Sequence, residues 1–158
     1  MIRTNRLHIR PLNYQELLCR IYSRTGHVKT DEDEHNILTY GVSKMKEAPE
    51  EDHKFYTIWV AEDNGEEVLE CGFICPPTVH HVVELFCYTR PEHQKKGYGT
   101  EAIKGLVRFS EAFKNIKFVC ASVAKENKPS QKMFLKNDFY YLCDAPSGMM
   151  VFNKQIKN

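Results

Sequence analysis

The sequence predicts one α+β domain over residues 1–158, and three observations carry that reading. Strand-like runs at 55–62, 68–75 and 82–89 follow one another through short links, which favours antiparallel pairing. A helical apolar stripe after a pair of glycines then separates the run 82–89 from another at 116–123, the layout of a parallel strand–helix–strand crossover. Finally, 42% hydrophobic and 27% charged residues are ordinary for a globular chain long enough to bury a core.

Each element has a local reason. In Arg6–Leu12, Leu7 and Ile9 alternate with polar residues up to Pro11, which reads as a strand. Asn13 is a good N-cap with Glu16 three residues on, opening a helix to Arg24 with Leu17, Leu18 and Ile21 on one face and Gly26 at its end. Asp31–Glu34 place four acids at the positive end of a second helix, through Glu47, whose stripe is Ile37, Leu38, Val42 and Met45; Gly41 weakens its middle. Phe55–Glu62 ends in Asp63-Asn64-Gly65-Glu66, a tight-turn signal, so Val68–Cys75 pairs back on it. Val82–Thr89 ends before Pro91. Ile103, Leu106, Val107 and Phe113 form the next helical stripe, with Gly105 inside it. Ile116–Val123 is strand-like, Pro129 suits the first turn of a helix to Asn137, and two runs around Ala145–Gly148 close as a hairpin. No repeat, low-complexity tract or linker interrupts this order.

Composition narrows the function classes. No apolar run is long enough to span a bilayer, and the arginine-bearing start lacks the apolar centre of a secretion signal, so no membrane role is expected and the cytoplasm is the expected compartment. Cys71 and Cys75 lack a second close ligand pair, so they read as small apolar fillers, not a zinc site, and no metal is expected. The six cysteines read as free thiols. Net charge is +1 but segregated: residues 31–70 hold 13 acids and 3 bases, whereas residues 90–136 hold 11 bases and 4 acids. Solvated surface explains any one of these charges; the segregation itself suits an anionic ligand at the second block. No basic aromatic stripe suits a nucleic acid.

The densest signal is His93–Ala102, "HQKKGYGTEA". Glycines between a strand and a helix expose backbone N–H groups to a phosphate, and Gly97 and Gly99 remove the Cβ atoms that would block its approach. Lys95 and Lys96 add positive charge. "GYGTEA" also fits the dinucleotide fingerprint, but that pattern needs an acid at the end of the following strand, where Ser122 and Ala124 stand.

A wider window decides between these. "VELFCYTRPEHQKKGYGTEAI" (Val83–Ile103), with Gln94-Lys95-Lys96-Gly97-Tyr98-Gly99 as its centre, resembles the acetyl-CoA-binding motif of the GCN5-related N-acetyltransferases (GNAT). "TNRLHIRPL" and "NKPSQKMFLKNDF" (Asn127–Phe139) are similar to the opening and the Asn-x-x-Ser segment of the ribosomal-protein alanine acetyltransferase (RimJ/RimL-like) branch. The resemblance implies a mixed, mostly antiparallel sheet of six to seven strands with about four helices and a parallel crossover between strands 4 and 5. It also implies transfer of an acetyl group from acetyl-CoA, as co-substrate, to a primary amine.

By position, the resemblance assigns the CoA pyrophosphate to the main-chain amides of Gln94, Lys95, Lys96, Gly97, Tyr98, Gly99 and Thr100. It lays the pantetheine arm along Cys87, Tyr88 and Thr89, where two strands splay apart, and puts Asn127 and Ser130 on the far side. Glu84 is the candidate base, or a carboxylate that orients the substrate. An alkyl amine of pKa ~10.4 is neutral in only about one molecule per few thousand at pH 7, so deprotonation costs roughly 4–5 kcal/mol. A main-chain N–H near Cys87 would meet the oxyanion. The acid for the leaving thiolate is open: Phe134 stands where relatives often have tyrosine, leaving Ser130, whose plain alternative is a helix-start hydrogen bond, with Tyr88 and Tyr140 as further donors. Phe86 stands where the ribosomal branch has glycine, implying a narrower acceptor pocket, and Asp138 replaces a glycine before Phe139. The competing readings are a non-catalytic CoA-binding module and, on "GYGTEA" alone, a nicotinamide-dependent oxidoreductase. The acceptor, a small molecule or a peptide amine, and the choice between monomer and homodimer stay open.

Overall fold

The computed structural model describes residues 1–25 and 32–157. Among them are eight strands, four α-helices and two 3-10 turns. The chain runs β1 (Ile2–Arg3), β2 (His8–Pro11), α1 (Tyr14–Thr25), α2 (Glu32–Glu47), β3 (Ile58–Asp63), β4 (Glu66–Phe73), β5 (Val82–Thr89), α3 (Tyr98–Ser110), β6 (Phe118–Val123), α4 (Lys128–Leu135), β7 (Tyr140–Asp144) and β8 (Met150–Gln155). The 3-10 turns are Glu50–Phe55 and Pro91–His93. One sheet joins the strands in the order β1-β2-β3-β4-β5-β6-β8-β7, antiparallel throughout except for β5 and β6. That parallel pair is the predicted crossover, closed by α3.

Strand alternation divides the core into two. Trp59, Ala61, Val83 and Leu85 face α3 and α4, with Ile103, Leu106 and Phe134. Ile58 and Val60 face α1 and α2, with Leu17 and Met45. Each large side chain fully buried there contributes about 1.5–3 kcal/mol. Arg20 of α1 fixes the helix to the sheet through Glu67 at 2.7 Å and Glu70 at 3.1 Å.

Three local outcomes differ from the sequence reading. β1 is an added strand, formed because the Thr4 hydroxyl accepts from Leu7 N–H at 2.9 Å and turns the chain back. The predicted strand start at Phe55 is instead the end of a 3-10 turn. Phe55 enters the core edge-on to Phe73 and Phe113, and the Trp59 indole N–H donates to the Lys54 carbonyl at 2.8 Å, holding the turn. Cys75 lies just beyond β4, while Cys71 is buried within it; all six cysteines are free. The expected helix end at Gly26 and the acid Asp31 lie outside the described residues, as do the side chains of Ile37 and Leu38.

Asp138 sits at φ 62°, the left-handed region the turn before Phe139 demands. Aspartate tolerates it; a β-branched residue does not. Asp138→Val is expected to lower stability by about 1–2 kcal/mol, against less than about 0.5 kcal/mol for Asp138→Asn, as read by urea denaturation.

Candidate active site

The site begins where two strands part. β5 and β6 pair only through Val82–Glu84 and Phe118–Cys120. Beyond that, β5 follows β4 to Thr89 and β6 follows β8 to Val123. Ile74 N–H donates to the Glu84 carbonyl and Arg90 N–H to the Val68 carbonyl, so the even-numbered residues of β5 bond β4. By alternation, Leu85, Cys87 and Thr89 direct their main-chain N–H and C=O groups into the gap.

At the wide end of the gap the glycine loop closes into α3. Lys95 (φ 63°) and Gly97 (φ 84°) both take left-handed conformations, and Gly97 caps α3 without a side-chain hydrogen bond. The first-turn N–H groups of α3 therefore lack a side-chain acceptor at the cap and carry the positive end of the helix dipole. The Gln94 amide donates to the Thr89 carbonyl at 3.2 Å, bracing the loop on β5. Between loop, β5 and α4 runs an open cleft of about 550 Å³. Lys95, Lys132 and Lys136 line it, and among the described residues no carboxylate does.

The surroundings hold this geometry. Glu101 accepts from Thr4 Oγ1 at 2.5 Å and pairs with Arg6 at 2.8 Å, while Arg6 Nη1 donates to the Lys96 carbonyl at 3.0 Å. The N-terminal segment is thus stapled to the loop. Asn137 Nδ2 donates to the carbonyls of Thr100 and Met133 at 3.1 and 3.0 Å, tying α4 to the start of α3. Gly99 lets these helices meet: a Cβ there would lie 2.7 Å from Met133 Sδ. Gly99 thus serves the helix contact as well as lining the cleft.

Ten of the twelve expected cofactor residues line the cleft: Cys87, Tyr88 and Thr89 from β5, Gln94, Lys95, Gly97, Gly99 and Thr100 from the loop and α3, Asn127 and Ser130 from α4. Two side chains do not. Tyr98 turns under Arg6, 4.4 Å from the guanidinium carbon, and donates to Asp63 at 2.7 Å. Lys96 stays exposed outside the lining, its carbonyl held by Arg6. Asn127 caps α4 by accepting from Ser130 N–H at 3.1 Å, so the helix-start bond uses the Ser130 main chain. Lys132 and Lys136 were missed individually; their four-residue spacing on one face of a helix was the available signal.

The carboxylate lies on the other face. Glu84, half-buried, is the register partner of Cys120 and shares its face of β5 with Phe86 and Tyr88. Phe134 is buried between Phe139 and Phe152 and takes no part in the cleft. Tyr88 is largely exposed, and the Tyr140 hydroxyl accepts from Asn153 at 2.7 Å, two strands beyond β6. Burial pushes the thiols of Cys87 and Cys120 up to about 12, so both stay protonated and poorly nucleophilic at neutral pH.

A family model described as the acetyltransferase (GNAT) domain matches residues 6–140. The chain belongs to the GNAT family. Among curated relatives, it is 30% identical over 82 residues to the uncharacterized N-acetyltransferase YjdG of Bacillus subtilis, a match covering 52% of this chain and 49% of that protein. The chain thus matches about half the length of that relative. A putative ribosomal-protein-serine acetyltransferase from Vibrio cholerae shares the fold with a TM-score of 0.70 at 16% identity, covering 98% of this chain and 97% of the other. Spermidine N-acetyltransferase from Vibrio cholerae, solved with CoA and spermine, does so with a TM-score of 0.67 at 17% identity, covering 97% and 96%. The ribosomal branch expected from the sequence is therefore represented among the GNAT structures that share this fold.

Within the GNAT fold the β5–α3–β6 unit is itself a parallel crossover, so topology alone does not separate it from a dinucleotide site. The lining does: among the described residues it holds no acid for a ribose diol. Among the described residues no cluster of three or more His, Cys, Asp or Glu side chains could hold a metal, and no helix is long and apolar enough to cross a membrane.

Proposed function

We propose that residues 1–158 form one acetyl-CoA-dependent N-acetyltransferase domain that moves an acetyl group to a primary amine by direct attack. The observation that carries this reading is the convergence, in one cleft, of a splayed strand edge, a helix start capped by a left-handed glycine, and three lysines. The loop and α3 amides hold the pyrophosphate, with Lys95, Lys132 and Lys136 balancing its charge. The pantetheine arm pairs with the Cys87 carbonyl and the Thr89 N–H, which face the gap that β6 no longer fills, while the Thr89 carbonyl stays with Gln94; Asn127 and Ser130 flank the arm.

The thioester then lies at the narrow end of the gap, near Glu84. The amine nitrogen forms its bond to the acetyl carbon while the carbon–sulfur bond breaks. Glu84 takes the amine proton through a water and releases it to solvent, the Cys87 N–H meets the oxyanion, and the Ser130 hydroxyl passes a proton to the departing thiolate while taking one from solvent. The high thiol pKa values of Cys87 and Cys120 favour direct attack over an acyl-cysteine intermediate. Free thiols throughout fit a reducing, cytoplasmic compartment. The acceptor is a small-molecule or peptide amine, and the working unit a monomer or homodimer.

Calorimetry tests the first half. CoA is expected to bind and NADH not to bind, and Gly97→Val is expected to weaken CoA at least about tenfold, because a β-branched residue at φ 84° distorts the amide array. A folded protein that ignores CoA overturns the proposal. Binding without acetyl transfer to any of a panel of amines would leave the non-catalytic module that Phe134 favours.

A further inference from the structure

Phe86 shares the Glu84 face of β5, two residues along the strand, on the side covered by α1 and α2. Its register partner on β4 is Gly72, at φ 145°. A Cβ on Gly72 would lie 3.1 Å from Phe86 Cε1 and 3.0 Å from Trp59 Cδ1. Gly72 is thus the clearing against which the edge of the Phe86 ring rests, and Trp59 and the Thr57 carbonyl border the same clearing.

Above the ring runs a slit walled by Phe86, Ile74, Tyr56, Thr57 and Tyr40, with about 20 Å³ of free volume, room for one water-sized group. Ile74 N–H donates to the Glu84 carbonyl at 2.9 Å, so the slit adjoins the strand position of the carboxylate. Its far wall is as firmly seated as its floor. A Cβ on Gly41 would fall 2.3 Å from the Tyr56 carbonyl oxygen, so α2 already touches the backbone beside the slit. Among the described residues no carboxylate lines this space. It admits one methylene-sized group at a time and offers little to a polycation.

We infer that Phe86, resting on Gly72, restricts the acceptor to a slender, unbranched alkylamine end and turns away amines branched at the α-carbon, including peptide α-amino groups. This rests on the N-acetyltransferase reading and names the shape of its acceptor. A branched carbon next to the nitrogen needs width where the Phe86 ring and Tyr56 leave none. Displacing either wall means moving the ring out of the Gly72 clearing or lifting α2.

The test compares n-butylamine, sec-butylamine and an alanine-initiated tripeptide on the CoA-loaded protein. Amine binding is read by calorimetry, and transfer from acetyl-CoA by thiol release. The two butylamines have the same atoms, so shape alone separates them. At least about tenfold preference for n-butylamine in kcat/KM is expected, the scale of one misplaced methyl group in a tight apolar pocket. Phe86→Ala is expected to bring the two within about threefold by raising the branched amine. Should Phe86→Ala fail to fold, Phe86→Leu keeps an apolar filler and is expected to give an intermediate ratio. Equal use of branched and unbranched amines by the wild type overturns the inference, as does an unchanged ratio in a Phe86 variant that still binds CoA. A protein that does not bind CoA is recognised in the CoA titration, before any amine is added, as a failure of the transferase reading instead.

Discussion

Glu84→Gln is expected to lower kcat for amine acetylation about a hundredfold at pH 7 while leaving CoA affinity unchanged. The side chain lies outside the cleft proposed for CoA, on the opposite face of β5 from Cys87, so its amide should not disturb the cofactor. The magnitude follows from the proton that must leave the nitrogen. General base assistance is worth about 10²–10⁴, and the ammonium form dominates an alkyl amine until about pH 10. Without the base, the rate depends on amine already neutral in solution. The variant should therefore gain close to tenfold per pH unit between pH 7 and 9, and its deficit should shrink. A rise in KM with kcat preserved would instead show that the carboxylate only orients the acceptor.

Arg20→Ala is expected to have the largest effect on stability, about 2–3 kcal/mol, or a fall in Tm of roughly 5–10 °C for a chain of this size. Its guanidinium grips both oxygens of Glu67 at 2.7 and 2.9 Å and reaches the buried Glu70 at 3.1 Å; Arg90 meets Glu67 from the other side at 2.5 Å. These groups are only partly shielded, so the estimate is below that for a fully buried pair. The pH dependence has a definite sign. Burial alone would raise the Glu67 carboxyl, but hydrogen bonds and charge from Arg20 and Arg90 outweigh it and hold the group below the ordinary carboxylate value. A depressed folded pKa stabilises above the unfolded value, and that contribution is lost as pH falls through the folded one. In Arg20→Ala only Arg90 still depresses the carboxyl, so less of this contribution is left to lose, and urea midpoints between pH 7 and 3 should fall less steeply than in the wild type. An unchanged midpoint at pH 7 would refute the role of this network.

The loop and helix-start parts of the cleft were legible because they are local. Gln94–Thr100 carries its own glycine conformations, Asn127 is followed at once by the helix it caps, and Asp138 meets a left-handed position with a residue that tolerates it. What escaped notice depended on partners far along the chain. Arg6 and Glu101 are 95 residues apart, and neither is marked locally as a brace for the loop. Phe55 has strand-like neighbours, yet packing on Phe73 and Phe113 turns it into the core. Gly41 reads as a weakness in a helix; its use is a contact with the Tyr56 carbonyl that no helical pattern reveals.

The sequence by itself determined the order of elements from β2 onward, the crossover at 82–123, the family resemblance and the loop that opens α3. All of these depend on periodicity, on turn chemistry and on conformations set within a few residues. Only the tertiary structure decided that Glu84 is the last residue of β5 to pair with β6, that Tyr98 and Lys96 turn from the cleft, and that Phe86 lies in the clearing left by Gly72. Those outcomes follow from which distant surfaces come into contact, and close packing leaves each side chain only the space its neighbours do not fill.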